Sequence, residues 1–209
     1  PKPHRAQGFS LIGLLTDFGL RDHYVGTMKG VVLGRCPDAR IVDISHEVTP
    51  QCILEGAYLL WASYRYFPRG TLFLAVVDPG VGTARRILVT QLPGRVFLAP
   101  DNGLMDLIWN DEPSAQIFSL ESLTVLQAKG VISPVVSSTF HGRDVLGPVA
   151  AWIASGGSVG QITRSCAPPA RTVILEEEHA RPAVGKVLHI DGFGNVITNL
   201  RLRSEAPSA

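Results

Sequence analysis

The run Thr71-Leu72-Phe73-Leu74-Ala75-Val76-Val77 is uninterrupted by charge, and it lies between the turn formers Pro68-Arg69-Gly70 and Asp78-Pro79-Gly80. A continuous apolar segment of strand length is expected where both faces of a sheet are covered. The preceding segments fit that demand. Leu11 to Phe18 reads as a first strand. Asp22 to Leu33 reads as a helix, with Asp22 as cap and Tyr24, Val25, Met28, Val31 and Val32 on its apolar face. Arg40 to Ile44 is a short strand, and a helix from about Gln51 to Tyr66 follows, with Pro50 near its first turn. The alternation β-α-β-α-β predicts an α/β fold: a mostly parallel sheet covered by helices.

Downstream, Ile87 to Gln91 and Arg95 to Ala99 are spaced as a hairpin around Leu92-Pro93-Gly94. Leu104 to Trp109 reads as a short helix, Ala115 to Leu120 as a strand, and Asp144 to Ala154 as a buried helix ended by Gly156-Gly157. Ser165 to Ala170, with Pro168-Pro169, reads as a linker. Beyond it, Thr172 to Leu175, Gly185 to Ile190 and Val196 to Asn199 favour β-structure. The chain therefore divides into an α/β domain over 1–165 and a partial all-β domain over 171–209, with a polar, unpatterned tail from Arg203. So small a β unit must lean on the first domain, on a neighbouring subunit, or on further residues.

Composition excludes some functions. The 209 residues carry 19 basic and 18 acidic side chains, so a net charge of +1 gives no electrostatic case for nucleic acid or an anionic membrane. No apolar run reaches the roughly 20 residues of a membrane helix. Pro1 to Gly8 lacks the apolar core of a secretion signal. Cys36, Cys52 and Cys166 are odd in number and isolated, which fits small buried hydrophobes in a reducing cytoplasm. None of the six histidines has H-x-x-x-H or H-E-x-x-H spacing, so no metal site is expected.

Three clusters carry chemistry. Thr16-Asp17-Phe18-Gly19 places a carboxylate at a strand end, where it can accept two hydrogen bonds from a vicinal diol or cap a turn. Asp78-Pro79-Gly80-Val81-Gly82-Thr83-Ala84-Arg85 lacks the ending of a phosphate loop; its glycines let the backbone turn so that Asp78 and Arg85 converge. Thr139-Phe140-His141-Gly142-Arg143-Asp144 adds an imidazole before a buried helix. Ser137-Ser138 form no G-x-S-x-G elbow. Asp191-Gly192-Phe193-Gly194-Asn195 is either a hairpin turn or a ligand-reaching loop.

With Val42-Asp43-Ile44-Ser45-His46, Pro100-Asp101-Asn102-Gly103 and Thr198-Asn199, these ordered motifs resemble the adenosine-forming S-adenosylmethionine (SAM) hydrolases, or SAM hydroxide adenosyltransferases. That family is related to the fluorinating and chlorinating SAM enzymes. The resemblance runs from about Leu14 to Leu200. It implies hydrolysis of SAM at ribose C5′ to adenosine and L-methionine, with no cofactor and no metal. The family's catalytic Asp-Arg-His set falls on Asp78, Arg85 and His141. By the same resemblance Asp17 holds the ribose hydroxyls, Asp22 and Asp191 the methionine ammonium, Asn195 the adenine, and Phe140 packs on base or sugar. It further implies a homotrimer, each site lying between the large domain of one subunit and the small β domain of the next.

Departures are visible too. The halogenating relatives carry tyrosine at Asp78, threonine at Val81 and serine at Gly142. Gln51 stands where relatives often have an aromatic. The family's small domain includes a later serine-containing turn that grips the methionine carboxylate, and this sequence ends at Ala209 before it. A binding protein for adenosine or SAM without turnover is the alternative.

Overall fold

A computed structural model describes residues 9, 11–167, 169, 172 and 185–200. Its centre is a seven-stranded sheet in the order β2-β1-β3-β5-β4-β6-β7. The strands are β1 (Leu11–Thr16), β2 (Arg40–Ser45), β3 (Thr71–Val76), β4 (Ile87–Leu92), β5 (Arg95–Pro100), β6 (Gln116–Leu120) and β7 (Thr163–Ser165). β2, β1, β3 and β5 pair in parallel, whereas β4 is antiparallel to β5 and β6, and β7 is antiparallel to β6. Five of the seven strands thus point one way, as the β-α-β-α-β pattern predicts.

The apolar run from Thr71 shows why the sheet is covered on both sides. Leu72, Leu74 and Val76 join one core cluster with Met28, Val32 and Val149, carried by the helices α1 (Tyr24–Arg35) and α5 (Gly147–Ala154). Phe73, Ala75 and Val77 point oppositely, into a second cluster with Ala57, Leu60 and Leu107 of α2 (Ile53–Tyr64) and α3 (Asp106–Asp111). The period of two is hidden in the sequence because each face meets a different helix layer. A short helix, α4 (Leu123–Ala128), packs Leu126 into the first cluster. It is capped by Ser122, whose Oγ accepts from the Val125 N–H.

Some expectations need correction. Asp22 does not cap α1: the helix begins at Tyr24 after His23, with no side-chain cap. The single helix expected from Asp144 is two pieces. Gly142–Leu146 is a π-helical turn that hands over to α5, and the Gly147 N–H reaches back to the Gly142 carbonyl. Pro148 has no N–H with which to close an α-turn on residue 144, so a regular helix cannot run through that point. Ser165 belongs to edge strand β7 rather than to a linker; three polar residues give no alternation to read. Thr172 lies outside any strand, its N–H and hydroxyl both on Asp106 Oδ2, and 173–175 fall outside the described residues. So does the tail from Arg201 onward.

The small sheet pairs β8 (Val187–Ile190) with β9 (Val196–Thr198). It leans on α2. His189 Nδ1 lies 2.7 Å from Glu55 Oε1, and the His189 ring stacks on Tyr58 with centroids 5.6 Å apart.

Close approach of β1 to the Phe73 ring depends on Gly13. A Cβ there would sit 2.9 Å from Phe73 Cδ1, and that ring is held by stacking on Phe97 at 4.7 Å. Gly13→Ala is therefore expected to destabilise the fold by about 1–3 kcal/mol through overpacking. Equilibrium urea unfolding checks this, and an unchanged midpoint would contradict the packing described.

Candidate active site

Parallel pairing of β1 with β3 matches Thr16 to Val76, so the two chains leave the sheet at the same edge. From β1 the chain moves one way to β2, then crosses to the other side of β1 for β3. That reversal of strand order leaves a crevice between the β1 and β3 ends, the usual ligand position in open α/β sheets. Asp17 follows β1 and Asp78 follows β3. A cleft of about 620 Å³ opens there, lined by Asp17, Phe18, Asp78, Phe140 and His141 among others. This is ample for a nucleoside-sized molecule.

Asp78 and Arg85 converge as the glycine spacing predicts. Arg85 Nε donates to both Asp78 carboxylate oxygens, at 2.6 and 2.7 Å, and Nη2 donates to Oδ2 as well. The side chains are only 4% and 9% exposed, so the pair is largely withdrawn from water and its fork geometry is fixed. Gly82 lets this turn approach the next segment. Its φ is +80°, and a Cβ there would fall on the Ser138 carbonyl oxygen. The Asp78 turn and the irregular stretch leading to His141 can thus lie in direct contact.

His141 sits at the head of the π-helical turn. Its Nδ1 is 3.4 Å from Arg85 Nη2. A guanidinium only donates, so Nδ1 faces it as an acceptor and the ring proton belongs on Nε2. Burial, and then the Arg85 charge, push the imidazole below its ordinary pKa; Asp78 and Asp144 pull the other way without prevailing. The ring is therefore neutral near pH 7.

Asp17 is held from the other side of the cleft. Its Oδ2 accepts the Gln51 N–H at 2.8 Å. Gln51 has φ +65°, the one non-glycine residue in the left-handed region among those described. Such a conformation costs roughly 1–2 kcal/mol and is sustained here by surrounding structure. Burial raises the Asp17 carboxyl pKa above its ordinary value; the Gln51 N–H opposes this, and the Asp78 charge adds to it. The sequence offers Gln51 as the start of a helix and as a missing aromatic, whereas α2 begins at Ile53 and Gln51 precedes it with positive φ. Its backbone role has no signature in residue type.

Phe140 forms an aromatic corner with Phe18 and Tyr24, with centroids 5.8 and 5.2 Å from its own. Tyr24 and Arg143 also line the cleft; the sequence places one on a helix face and the other beside His141 without giving either a role in the site. Arg143 lies over the Phe140 ring at 5.2 Å and pairs with Asp144, which in turn accepts the Ser137 N–H. The remaining candidates are elsewhere. Asp22 is exposed and does not line the cleft. Asp191 and Asn195 occupy the β8–β9 turn, where Asp191 accepts from the Phe193 and Asn195 amides and from Asn195 Nδ2. Within its own chain that loop is a hairpin turn, away from the cleft. Among the described residues no cluster of His, Cys, Asp and Glu could hold a metal ion.

Replacing Arg85 by glutamine removes the cation that depresses His141 and leaves the Asp78 charge that raises it. The His141 pKa is expected to move upward in Arg85→Gln. NMR titration of the ring Cε1–H reads it directly, and a fixed or lowered value would overturn the electrostatic account.

Residues 12–163 match the SAM hydroxide adenosyltransferase N-terminal domain. A Thermus thermophilus protein named (R)-S-adenosyl-L-methionine hydrolase is 40% identical over 189 residues, which cover 89% of this chain and 72% of that relative. One of the same name from Salinispora tropica is 35% identical over 189 residues, covering 88% and 70%. The crystal structure of an uncharacterized conserved protein from Thermotoga maritima superposes with a TM-score of 0.77 at 35% identity, covering 90% of this chain and 70% of that one. With most of the α/β layer matched and the strand-end carboxylates facing one cleft, this chain belongs to the SAM hydroxide adenosyltransferase family.

Proposed function

We infer that this chain hydrolyses S-adenosylmethionine to adenosine and L-methionine, water attacking ribose C5′. The observation that carries the reading is the buried Asp78–Arg85 pair with neutral His141 beside a nucleoside-sized cleft, in a chain with relatives named for this hydrolysis.

The substrate brings its own activation. Its sulfonium makes methionine a neutral thioether leaving group, so no acid is needed to protonate it and no cofactor or metal to polarise it. As the water oxygen bonds to C5′, the C5′–S electron pair goes to sulfur. One of the two water protons must then leave. Asp78 accepts a hydrogen bond from the water and orients it in line with the C5′–S bond. Arg85 fixes the carboxylate and favours hydroxide character. His141, uncharged with its Nδ1 facing Arg85, turns an Nε2–H donor that can hold the water oxygen without opposing the cationic substrate.

Asp17 serves as the ribose-diol acceptor; one of its oxygens is already turned by the Gln51 N–H, and the other is left for hydroxyls. Phe140, with Phe18 and Tyr24, supplies the apolar wall for the nucleoside. Asp22, on the large domain, and Asp191 serve the methionine ammonium and Asn195 the adenine; the roles of Asp191 and Asn195 require a second subunit, as in a homotrimer. The hairpin suits delivery to a neighbour. Phe193 at its tip is 95% exposed, and Ile190 and Val196 beside it are more than half exposed. The division is then a catalytic and ribose-binding domain over 1–165 and a β domain over 171–209 that completes the next subunit's site. Three free cysteines fit a reducing, cytoplasmic location.

The test is to incubate the purified chain with SAM and follow adenosine by chromatography, beside Asp78→Asn and His141→Gln. The wild type is expected to release adenosine, and each variant to lose about 10²–10⁴-fold in kcat. The acid limb of kcat/KM should lie below about pH 6.5, the ordinary imidazole value, because His141 is depressed from it. SAM binding without turnover would identify a binding protein instead.

A further inference from the structure

Behind the ion pair lies a second cavity, of about 200 Å³. It touches neither Asp17 nor the aromatic corner. Arg85 lines this rear cavity and Asp78 lines only the nucleoside cleft, whereas His141 lines both. The Asp78–Arg85 pair and His141 are thus the partition between two spaces. Ser119 and Glu121 contribute polar groups to the rear wall, and Ala84 and Leu123 stand exposed at its rim. At roughly 30 Å³ per molecule, the space holds about six waters, with polar partners to retain them.

The proposed hydrolysis has two needs that the front cleft meets poorly. It consumes one water for each SAM. It also releases one proton, since a sulfonium cation and water become neutral adenosine, zwitterionic methionine and H⁺. A nucleoside seated in the cleft expels water from it and blocks the way past itself. The nucleophile must also stand on the side of C5′ away from sulfur. A route that begins behind the partition avoids the bound substrate.

We propose that the rear cavity is the water inlet and proton exit of the hydrolytic site, its ligand being a chain of water molecules that ends at the Asp78–Arg85–His141 partition. The proposal rests on the hydrolase reading. A water from this chain supplies the oxygen that bonds to C5′, the C5′–S pair leaves with methionine, and the displaced proton passes outward along the remaining waters. The arrangement also gives the second face of His141 a purpose, as it is the one residue among those described that lines both spaces.

Filling the rim tests this without touching the partition. Ala84→Trp and Leu123→Trp obstruct the cavity from two different segments, the Asp78–Arg85 loop and α4, and Ala84→Ser is the control of small volume. The expected result is a fall in kcat of at least about tenfold in both tryptophan variants, with KM for SAM unchanged. Tm should stay within about 2 °C of wild type, because both positions are at the surface. Ala84→Ser should keep the wild-type kcat. Wild-type kcat in both tryptophan variants, or a loss confined to KM, overturns the inlet while leaving the hydrolase reading intact. A wild-type chain that releases no adenosine removes that reading and the inlet with it.

Discussion

Pairing of β1 with β3 in parallel, Thr16 against Val76, is the constraint on which the site depends. It brings two strands separated by some fifty residues of helix and strand to a common edge. Everything chemical then sits just past that edge. Asp17 is the residue after β1, and Asp78 is the second after β3. The sheet cannot slip without penalty. Shifting β3 by one residue would exchange Leu72, Leu74 and Val76 for Phe73, Ala75 and Val77, two sets shaped for different helix layers. Register is thus set by packing, and the separation of the two carboxylates follows from register.

The third group arrives by different means. His141 is not at a strand end; it precedes a π-helical turn that Pro148 and the Gly147–Gly142 contact enforce. Such a turn re-aims the residues at its head relative to a regular helix. Gly82 is the counterpart on the other side, letting the Asp78 turn lie against the Ser138 carbonyl. One glycine and one proline, each acting through the backbone, thereby set how closely Arg85 and His141 approach.

Much of this was legible in the sequence, and the failures have common causes. Strands buried on both faces, such as β3, announce themselves by continuous apolarity, and the Asp78 to Arg85 spacing foretells convergence because its glycines leave few other courses. What could not be read were features held by backbone geometry or by partners far along the chain. The Gln51 N–H that holds Asp17 is available to any residue type except proline, and nothing in a glutamine side chain announces positive φ. Edge strand β7 depends on finding β6, some forty residues earlier, and its three polar residues carry no period. Thr172 looked like a β-former and is taken instead by Asp106. The Asp191 loop could be read either way, and its carboxylate is spent on its own turn within the chain.

Electrostatics explains why such a site favours water over an anion. Asp78 and Arg85 cancel in net charge, but not in position: the guanidinium nitrogens are directed at the carboxylate and His141. What Asp78 offers the cleft is a surface of oxygen lone pairs. Asp17, the other carboxylate lining the cleft, has the upward push of burial on its pKa opposed, though not overcome, by a backbone amide. A halide entering between them would be repelled at close range in a medium of low dielectric constant. A sulfonium cation is attracted by the same field, and water is oriented by it. In the proposed hydrolysis, positive charge spreads from sulfur toward C5′ and the incoming oxygen as the C5′–S bond breaks. With Asp78 on the side of the incoming water, its carboxylate would stabilise the transition state more than the bound substrate, which is the condition for a charged group to accelerate a reaction rather than merely tighten binding.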